Sequence, residues 1–429
     1  MNVRGVLTLA ACLLFTLSAK GSFAVSTWNQ ALNFGASDSA AVNCAIAADS
    51  AGNVYTTGLI NARVFATVKY SRTGQQMWRS DYVSPDTAEG RAVTVDSAGN
   101  VYATGYFYVF NMVNHLMLRD YATIKYDSNG AQQWVAMYSG PTGDNNTPNA
   151  IAVDSSGNVY VTGVSPGNGT GNDIATIKYN SSGVQQWVSR YDAGSDEAGN
   201  GLALDASNNV YIAGQTSGTS GGVILKYDTN GVQQWVSKVS QGINFVALDG
   251  GGNVFVAGGI LAKLNNSSGS VVWTKTNTYG PFPVPVSGSN GLALDGSGNV
   301  YTASLYGGLF TTKFDTNGVQ QWANSYANIT TGVNGDCPTG NIIGVDSLGG
   351  VFVSGITPSS NTNVRNIVTI KYNTAGVQQW MNALPDAAYG SAVAALAVDN
   401  LGDAFVSGVI GDQVGGYGEN YYWTVGYLL

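Results

Sequence analysis

The sequence predicts an all-β protein: a β-propeller of eight four-stranded blades, closed by pairing between its two ends. Three observations carry that prediction. A segment of the form Val-Asp-Ser-Ser-Gly-Asn-Val-Tyr-Val-Thr-Gly recurs eight times. A second, of the form Ile-Lys-Tyr-Asp-x-Asn-Gly-Val-Gln-Gln-Trp, recurs in step with it. The chain also starts and stops out of phase with the unit, opening on a fourth strand and ending on a third.

The first segment sets its Asp at Asp49, Asp96, Asp154, Asp205, Asp249, Asp295, Asp346 and Asp399, a mean spacing of 50 residues. That is the period of one four-stranded blade. Three residues on stands Gly52, Gly99, Gly157, Gly252, Gly298, Gly349 or Gly402, with Asn208 the exception. Asn is the non-Gly residue that best tolerates positive φ, so the exception fits the rule. Six residues after each Asp comes an aromatic, from Tyr55 and Tyr102 to Phe352 and Phe405. The pattern reads as a tight hairpin. Asp ends a short apolar strand such as Ile151-Ala152-Val153, and its carboxylate accepts backbone N–H groups. Gly takes the left-handed position, and a β-branched and aromatic strand follows.

The second segment adds a third strand, a Gly turn and a fourth strand. Trp lies four residues after the Gly at Trp78, Trp134, Trp187, Trp235, Trp273, Trp322 and Trp380. Trp28 opens the expected mature chain without its preceding turn, and Trp423 occupies a different slot. The eighth unit therefore lacks an outer strand, and the segment around Trp28 is spare. Pairing the two closes the ring without an exposed edge. The fifth unit departs most, with Val271-Val272 in place of Gln-Gln, and should be the most compact blade.

These segments resemble the SBBP β-propeller repeat of secreted bacterial proteins, over roughly residues 25–429. The resemblance implies seven blades as the alternative; the eight half-units of each kind imply eight. The Gly-x-x-x-Trp turn is also similar to the tryptophan-docking repeat of eight-bladed quinone dehydrogenases, where Trp packs between neighbouring blades. A ring of Trp stacked on flat peptide is the corresponding expectation here. A quinone dehydrogenase itself is disfavoured, because the adjacent-cysteine pair of many such enzymes is absent.

Residues 1–24 read as a secretory signal peptide. Arg4 gives a positive start, Gly5 to Ala19 is apolar, and Ser22-Phe23-Ala24 supplies a small-x-small cleavage site. Cleavage after Ala19 and lipidation of Cys12 are the alternatives. Residues 25–429 are then one propeller domain, with no transmembrane segment and a monomeric state expected. Two cysteines remain, Cys44 and Cys337, either bridged or separately buried. Among 429 residues only 18 are basic and 26 acidic, a net charge of −8 with no basic block, which argues against nucleic acid. A single His, His115, nearly excludes His-rich metal sites.

The eight turn Asp are too far apart for one ion and have local backbone partners, so they read as turn caps. Lys69, Lys125, Lys178, Lys226, Lys263, Lys313 and Lys371 form a strand-face pattern. Five residues before the Asp, Asn149, Asn200, Asn244, Asn290 and Asn341 should line the channel entrance and hydrogen-bond the loop entering the inner strand. Cys44, Arg91 and Ala394 stand at the same place, and Arg91 breaks that ring with a charge.

Function should lie where the copies differ, in the loops joining strand two to three and blade to blade, which share one face. The second unit varies most, from Tyr106 to Tyr121, and carries His115, Arg119 and Asp120. It reads as a lid or binding surface, or as a hairpin packed on the adjacent blade. Most remaining acidic residues fall in or beside these loops, with Asp403 the exception. Asp86 and Glu89 sit in one loop; Asp192, Asp196 and Glu197 cluster in another, where Ca²⁺ or a cationic ligand has a candidate site. No other cofactor and no catalytic constellation are indicated. The candidate binding residues are Arg91, His115, Arg119, Asp120, Asp196 and Glu197.

The leading expectation is a non-catalytic binding or scaffold protein, secreted, periplasmic or on the cell surface. Its ligand is an unidentified protein, glycan or small molecule. The alternatives are an enzyme of lyase or lactone-hydrolase type at the channel mouth, using Arg91, His115 or loop carboxylates, and an envelope-assembly scaffold similar to eight-bladed outer-membrane lipoproteins.

Overall fold

The Asp turns form as their spacing requires. In the first blade Asp49 Oδ1 accepts the backbone N–H groups of Ala51 and Asn53, both at 2.9 Å. Its Oδ2 accepts Asn53 Nδ2 and the Tyr55 hydroxyl, both at 2.8 Å. The same four bonds recur at Asp96, Asp154, Asp205 and Asp295. At Asp49, Asp96, Asp205 and Asp295 burial alone would raise the carboxyl, but the Asn, Tyr and backbone donors outweigh it. Asp49, Asp96, Asp205 and Asp295 are therefore held below the ordinary value. Among the described residues Asn208 is the one non-Gly residue at positive φ, +62°.

The structure is a computed structural model that describes residues 26–32, 42–60, 63–84, 87–111, 116–217, 221–275, 289–305, 308–327, 341–358, 365–385, 392–412 and 419–428. The signal reading, His115 and Cys337 lie outside these residues, as does the Cys44 side chain, so the disulfide question does too. The described residues contain no helix, hence none long and apolar enough to cross a membrane.

Eight antiparallel four-stranded sheets form in chain order. Blade 3 is representative, with strands Thr147–Val153, Val159–Pro166, Asn172–Tyr179 and Gln185–Tyr191 from the centre outward. Blades 1 to 8 span residues 42–83, 88–138, 147–191, 197–239, 243–275, 289–327, 343–385 and 392–428. The fifth has the shortest second and third strands, Val254–Gly258 and Leu261–Leu264. Blade 8 takes its outer strand from the other end of the chain: Ser26–Leu32 pairs with Glu419–Leu428, with Trp28 opposite Gly426. The inner strand of blade 1, Val42–Ala48, packs on blade 8 and closes the ring.

From blade 1 to blade 7 the outer-strand Trp seats on the next blade. The Trp187 ring lies between Tyr160 of its own blade, at 6.1 Å, and Tyr227 of the next, at 6.5 Å. Its Nε1 donates to the Thr229 carbonyl at 3.1 Å. Gly231 at φ +79° brings that turn against the indole; a Cβ there would lie 2.6 Å from Trp187 Cδ2. The glycine is thus required twice, for its backbone angle and for the close approach. Trp78, Trp134, Trp235, Trp273 and Trp322 repeat the bond. The lysines join them. Lys178 Nζ lies 5.1 Å over the Tyr160 ring and donates to the same Thr229 carbonyl.

The closing seam breaks the Trp pattern for a covalent reason and the Asp-turn pattern by substitution. The third and fourth strands of blade 8 come from opposite ends of the chain, so no turn joins them. Trp380 Nε1 is buried and finds no acceptor among the described residues. Its ring instead lies flatter and closer on Tyr427, at 5.4 Å and 31°. In the blade 8 Asp turn, Asp403 replaces the usual Asn and Phe405 the usual Tyr. Asp399 Oδ2 loses both donors and has no partner. Burial first, and then the Asp403 charge, raise the Asp399 carboxyl above its ordinary value. Asp403 pairs instead with Arg72 of blade 1 at 2.5 Å. The acidic residue that stood outside the loop pattern is therefore a cross-seam clamp.

The Asn positions are inner-strand bulges. The register skips one residue at Cys44, Arg91, Asn149, Asn200, Asn244, Asn290 and Ala394. Asn149 Nδ2 donates to the Gly199 carbonyl at 2.9 Å and Asn200 Nδ2 to the Ile243 carbonyl at 3.1 Å, each in the next blade. These side chains tie neighbouring inner strands together.

Candidate functional site

The Asp and Trp turns lie on one face of the ring, and the second-to-third and blade-to-blade connections on the other. On that second face blade 2 stands out. Its middle strands, Val101–Asn111 and Leu116–Tyr126, are eleven residues each, against seven each for Val210–Thr216 and Gly221–Tyr227 of blade 4. The extra length forms a projecting hairpin. The register puts Tyr106 opposite Tyr121, Tyr108 opposite Arg119 and Phe110 opposite Met117. Side chains alternate along a strand, so all six share one hairpin face. Along it Tyr121 and Tyr106 are buried, whereas Phe110 and Met117 are 48% and 39% exposed.

A charged cluster occupies the hairpin base. The Tyr106 hydroxyl donates to Glu89 Oε2 at 2.6 Å, and Arg91 Nη1 pairs with Glu89 Oε1 at 3.1 Å. Both side chains of that ion pair are nearly buried. Burial first, and then the Glu89 carboxylate, push the Tyr106 phenol up. The Arg119 guanidinium lies 5.1 Å from the Tyr106 ring centre and 5.9 Å from that of Tyr108. Arg91 and Arg119, distant in sequence, therefore meet around one tyrosine. Arg91 is not the lone channel charge that its place among the Asn suggests: it is compensated by Glu89, two residues away.

Asp120 faces the other side of the strand. It accepts Ser139 Oγ at 2.7 Å and Asn146 Nδ2 at 3.4 Å, which fastens the loop to blade 3; burial raises its carboxyl. It is a bracing residue, separate from the arginine cluster.

The second acidic group is reshuffled by folding. Asp173, Asp192 and Glu197 bring carboxylate oxygens within 4.8 Å of one another. Asp196 is not among them; its Oδ1 accepts the Asn172 N–H at 2.9 Å. Asp173, which joins from the start of the third strand of blade 3, is paired with Arg190 at 2.7 Å. Glu197 is 1% exposed and accepts Ser195 Oγ at 2.6 Å and the Ala193 N–H at 3.2 Å. These residues have the chemistry of a calcium ligand set, with Arg190 and the loop donors as competitors for the oxygens.

Sequence reasoning did not find Tyr106 and Tyr108 as partners of Arg119, nor Asp173. The first was readable: Tyr106, Tyr108 and Phe110 recur with period two. The pairing of strand two with strand three sets Arg119 opposite that row.

The profile of the beta-propeller repeat SBBP matches residues 133–169. Residues 133–169 are an SBBP beta-propeller repeat. The SBBP repeat runs from the outer strand of blade 2 through the Asp154 turn into the second-to-third loop of blade 3. No curated protein matches the chain. Among solved structures it is similar to a protein of unknown function from Bacteroides caccae, at 15% identity over 63% of this chain and 93% of that one, TM-score 0.39. It is similar to virginiamycin B lyase from Staphylococcus aureus, at 14% identity over 70% and 88%, TM-score 0.45. It is also similar to BamB from Moraxella catarrhalis, at 14% identity over 88% and 95%, TM-score 0.42.

Proposed function

We propose that this chain is a non-catalytic binding or scaffold propeller that acts outside the cytoplasm and meets its ligand on the variable-loop face, at the blade 2 hairpin. The contrast between the faces carries this reading. On the turn face most of the repeated Lys, Trp and Asp groups bond within or between blades, the closing seam apart. On the loop face one blade extends a hairpin whose tip exposes Val109, Phe110, Leu116 and Met117 beside a cluster of arginine and tyrosine. Apolar side chains clustered on a projecting element favour association. The signal-like first 24 residues and the SBBP repeat support an extracytoplasmic site of action.

The test uses a photo-crosslinking phenylalanine analogue placed at Phe110, and separately at Val232 on the turn face, which is 57% exposed. Envelope and culture fractions of the native host supply the ligand. A discrete adduct from position 110 and none from 232 is expected. Adducts from 232 alone, or equal labelling from both, would overturn the reading.

A further inference from the structure

We infer that Arg119 is the anion-binding centre of the blade 2 hairpin and that its ligand is a carboxylate bearing an apolar group. This deepens the proposed binding role and rests on it.

Among the residues whose side chains are described, the arginines divide by their partners. Arg72, Arg79, Arg91 and Arg190 each hold a carboxylate. Arg63 and Arg119 do not. Arg63 is exposed, where water solvates the charge. Arg119 is half-buried, its Nε is buried without a partner, and its guanidinium makes no hydrogen bond or ion pair. A desolvated guanidinium without a counter-charge is costly. The chain has acidic residues in excess, yet the nearest in sequence, Asp120, is turned to Ser139 and Asn146.

The surroundings hold the guanidinium without neutralising it. Tyr106 and Tyr108 stand edge to face at 5.8 Å, and Arg119 lies over both rings. Such stacking fixes the plane and leaves the Nη groups without a partner among the described residues. Its backbone is fastened too: Arg119 N–H donates to Asn145 Oδ1 at 3.2 Å, and its carbonyl accepts the Asn146 N–H at 2.7 Å. Beneath, Glu89 is already held by Arg91 and Tyr106, so it does not compete. A planar fork on a fixed plane suits the two oxygens of a carboxylate.

The next pair outward on the same face, Phe110 opposite Met117, sets the rest of the ligand. One pair spacing along a strand is roughly 7 Å. A carboxylate on Arg119 would place an attached aromatic or aliphatic group over those side chains. Both a free organic acid and a chain terminus ending in an apolar residue have this chemistry.

The experiment titrates the full mature chain calorimetrically with 3-phenylpropionate, 3-phenylpropionamide and propionate. Parallel arms use a short peptide ending in Phe with a free or an amidated C-terminus. Expected are binding of the phenyl acid and loss of roughly tenfold or more for the amide and for propionate. Arg119→Gln should lose the preference for acid over amide, Arg119→Lys should keep part of it, and Arg63→Gln should leave it intact. Tighter binding of the free-acid peptide would assign the site to a chain terminus, and of the small acid to a metabolite. Should Arg119→Gln fail to fold, Phe110→Ser takes its place, with the phenyl acid falling to the level of propionate. Equal binding of acid and amide, no binding of either acid, or an unchanged preference in Arg119→Gln would overturn the inference. A crosslink from position 110 that persists in Arg119→Gln would show the hairpin to be a binding face whose ligand chemistry is different.

Discussion

Lys178 and Arg119 are both cations over tyrosine rings, on opposite faces of the same ring. Lys178 lies over Tyr160 and also donates to the Thr229 carbonyl of the next blade. Arg119 lies over Tyr106 and Tyr108, and its guanidinium donates to nothing among the described residues. The difference teaches where the information in this chain sits. The repeated Lys and outer-strand Trp donate to a carbonyl of the next blade, because each blade must dock on its neighbour. Arg119, found once, has no such duty, and its guanidinium has no acceptor among the described residues.

Removing a docking side chain should have the largest effect. Trp187→Ala should cost roughly 3 kcal/mol, measured as loss of thermal stability, because a half-buried indole packed between two tyrosines leaves a gap between blades. The seam sharpens the test. Trp187→Phe leaves the Thr229 carbonyl without the indole donor, whereas Trp380→Phe removes an N–H that had no acceptor. The first should be the more damaging by about 1 kcal/mol.

The two arginines of the hairpin base come next. Arg91→Ala leaves Glu89 buried without its counter-charge and should cost about 3 kcal/mol. Arg119→Ala removes a stacked but unpaired group and should cost about 1 kcal/mol or less. Equal losses in melting experiments would mean that Arg119 is as structural as Arg91, which would dissolve the contrast between the faces.

The smallest effect has opposite signs in two equivalent turns. Asp49 is held below its ordinary value, so its contribution is present above the unfolded pKa of ~3.9 and lost as pH falls through the folded value. Asp49→Asn should destabilise at neutral pH by about 1 kcal/mol. Asp399 is raised, so its ionised form opposes folding at neutral pH. That opposition is relieved as pH falls through the raised value, and is gone below ~3.9, where the unfolded chain is protonated too. Asp399→Asn should therefore stabilise at neutral pH and have little effect in acid. Melting curves from pH 4 to 7 separate the two.

The architecture was legible because repetition made it so. Eight Asp turns, the Trp spacing and the spare strand at Trp28 fixed the blade number, the strand count and the mode of closure, and the short fifth blade followed from its missing residues. Less legible was what each repeated side chain touches. The Asp-to-Tyr bond spans six residues and stood in the spacing, but the Lys and Trp acceptors lie in the next blade, beyond local patterns. The binding residues were the hardest. Arg91, Arg119 and Asp120 were singled out as charges in variable places, yet only the register separates them: Arg91 bonded to Glu89, Asp120 turned to blade 3, Arg119 left open. Likewise Asp196 and Glu197 are neighbours in sequence, but alternation along the strand sends them to different partners.

The central claim is that the ring is a support and the blade 2 hairpin does the recognition. It is tested most directly by replacing residues 108–119 with residues 217–220, the corresponding connection of blade 4, and measuring binding and melting on the same protein. The account predicts a folded, cooperatively melting propeller with only a modest loss of stability, and loss of both the crosslinked ligand and the phenyl-acid affinity. Full ligand binding by this shortened, folded propeller would contradict it.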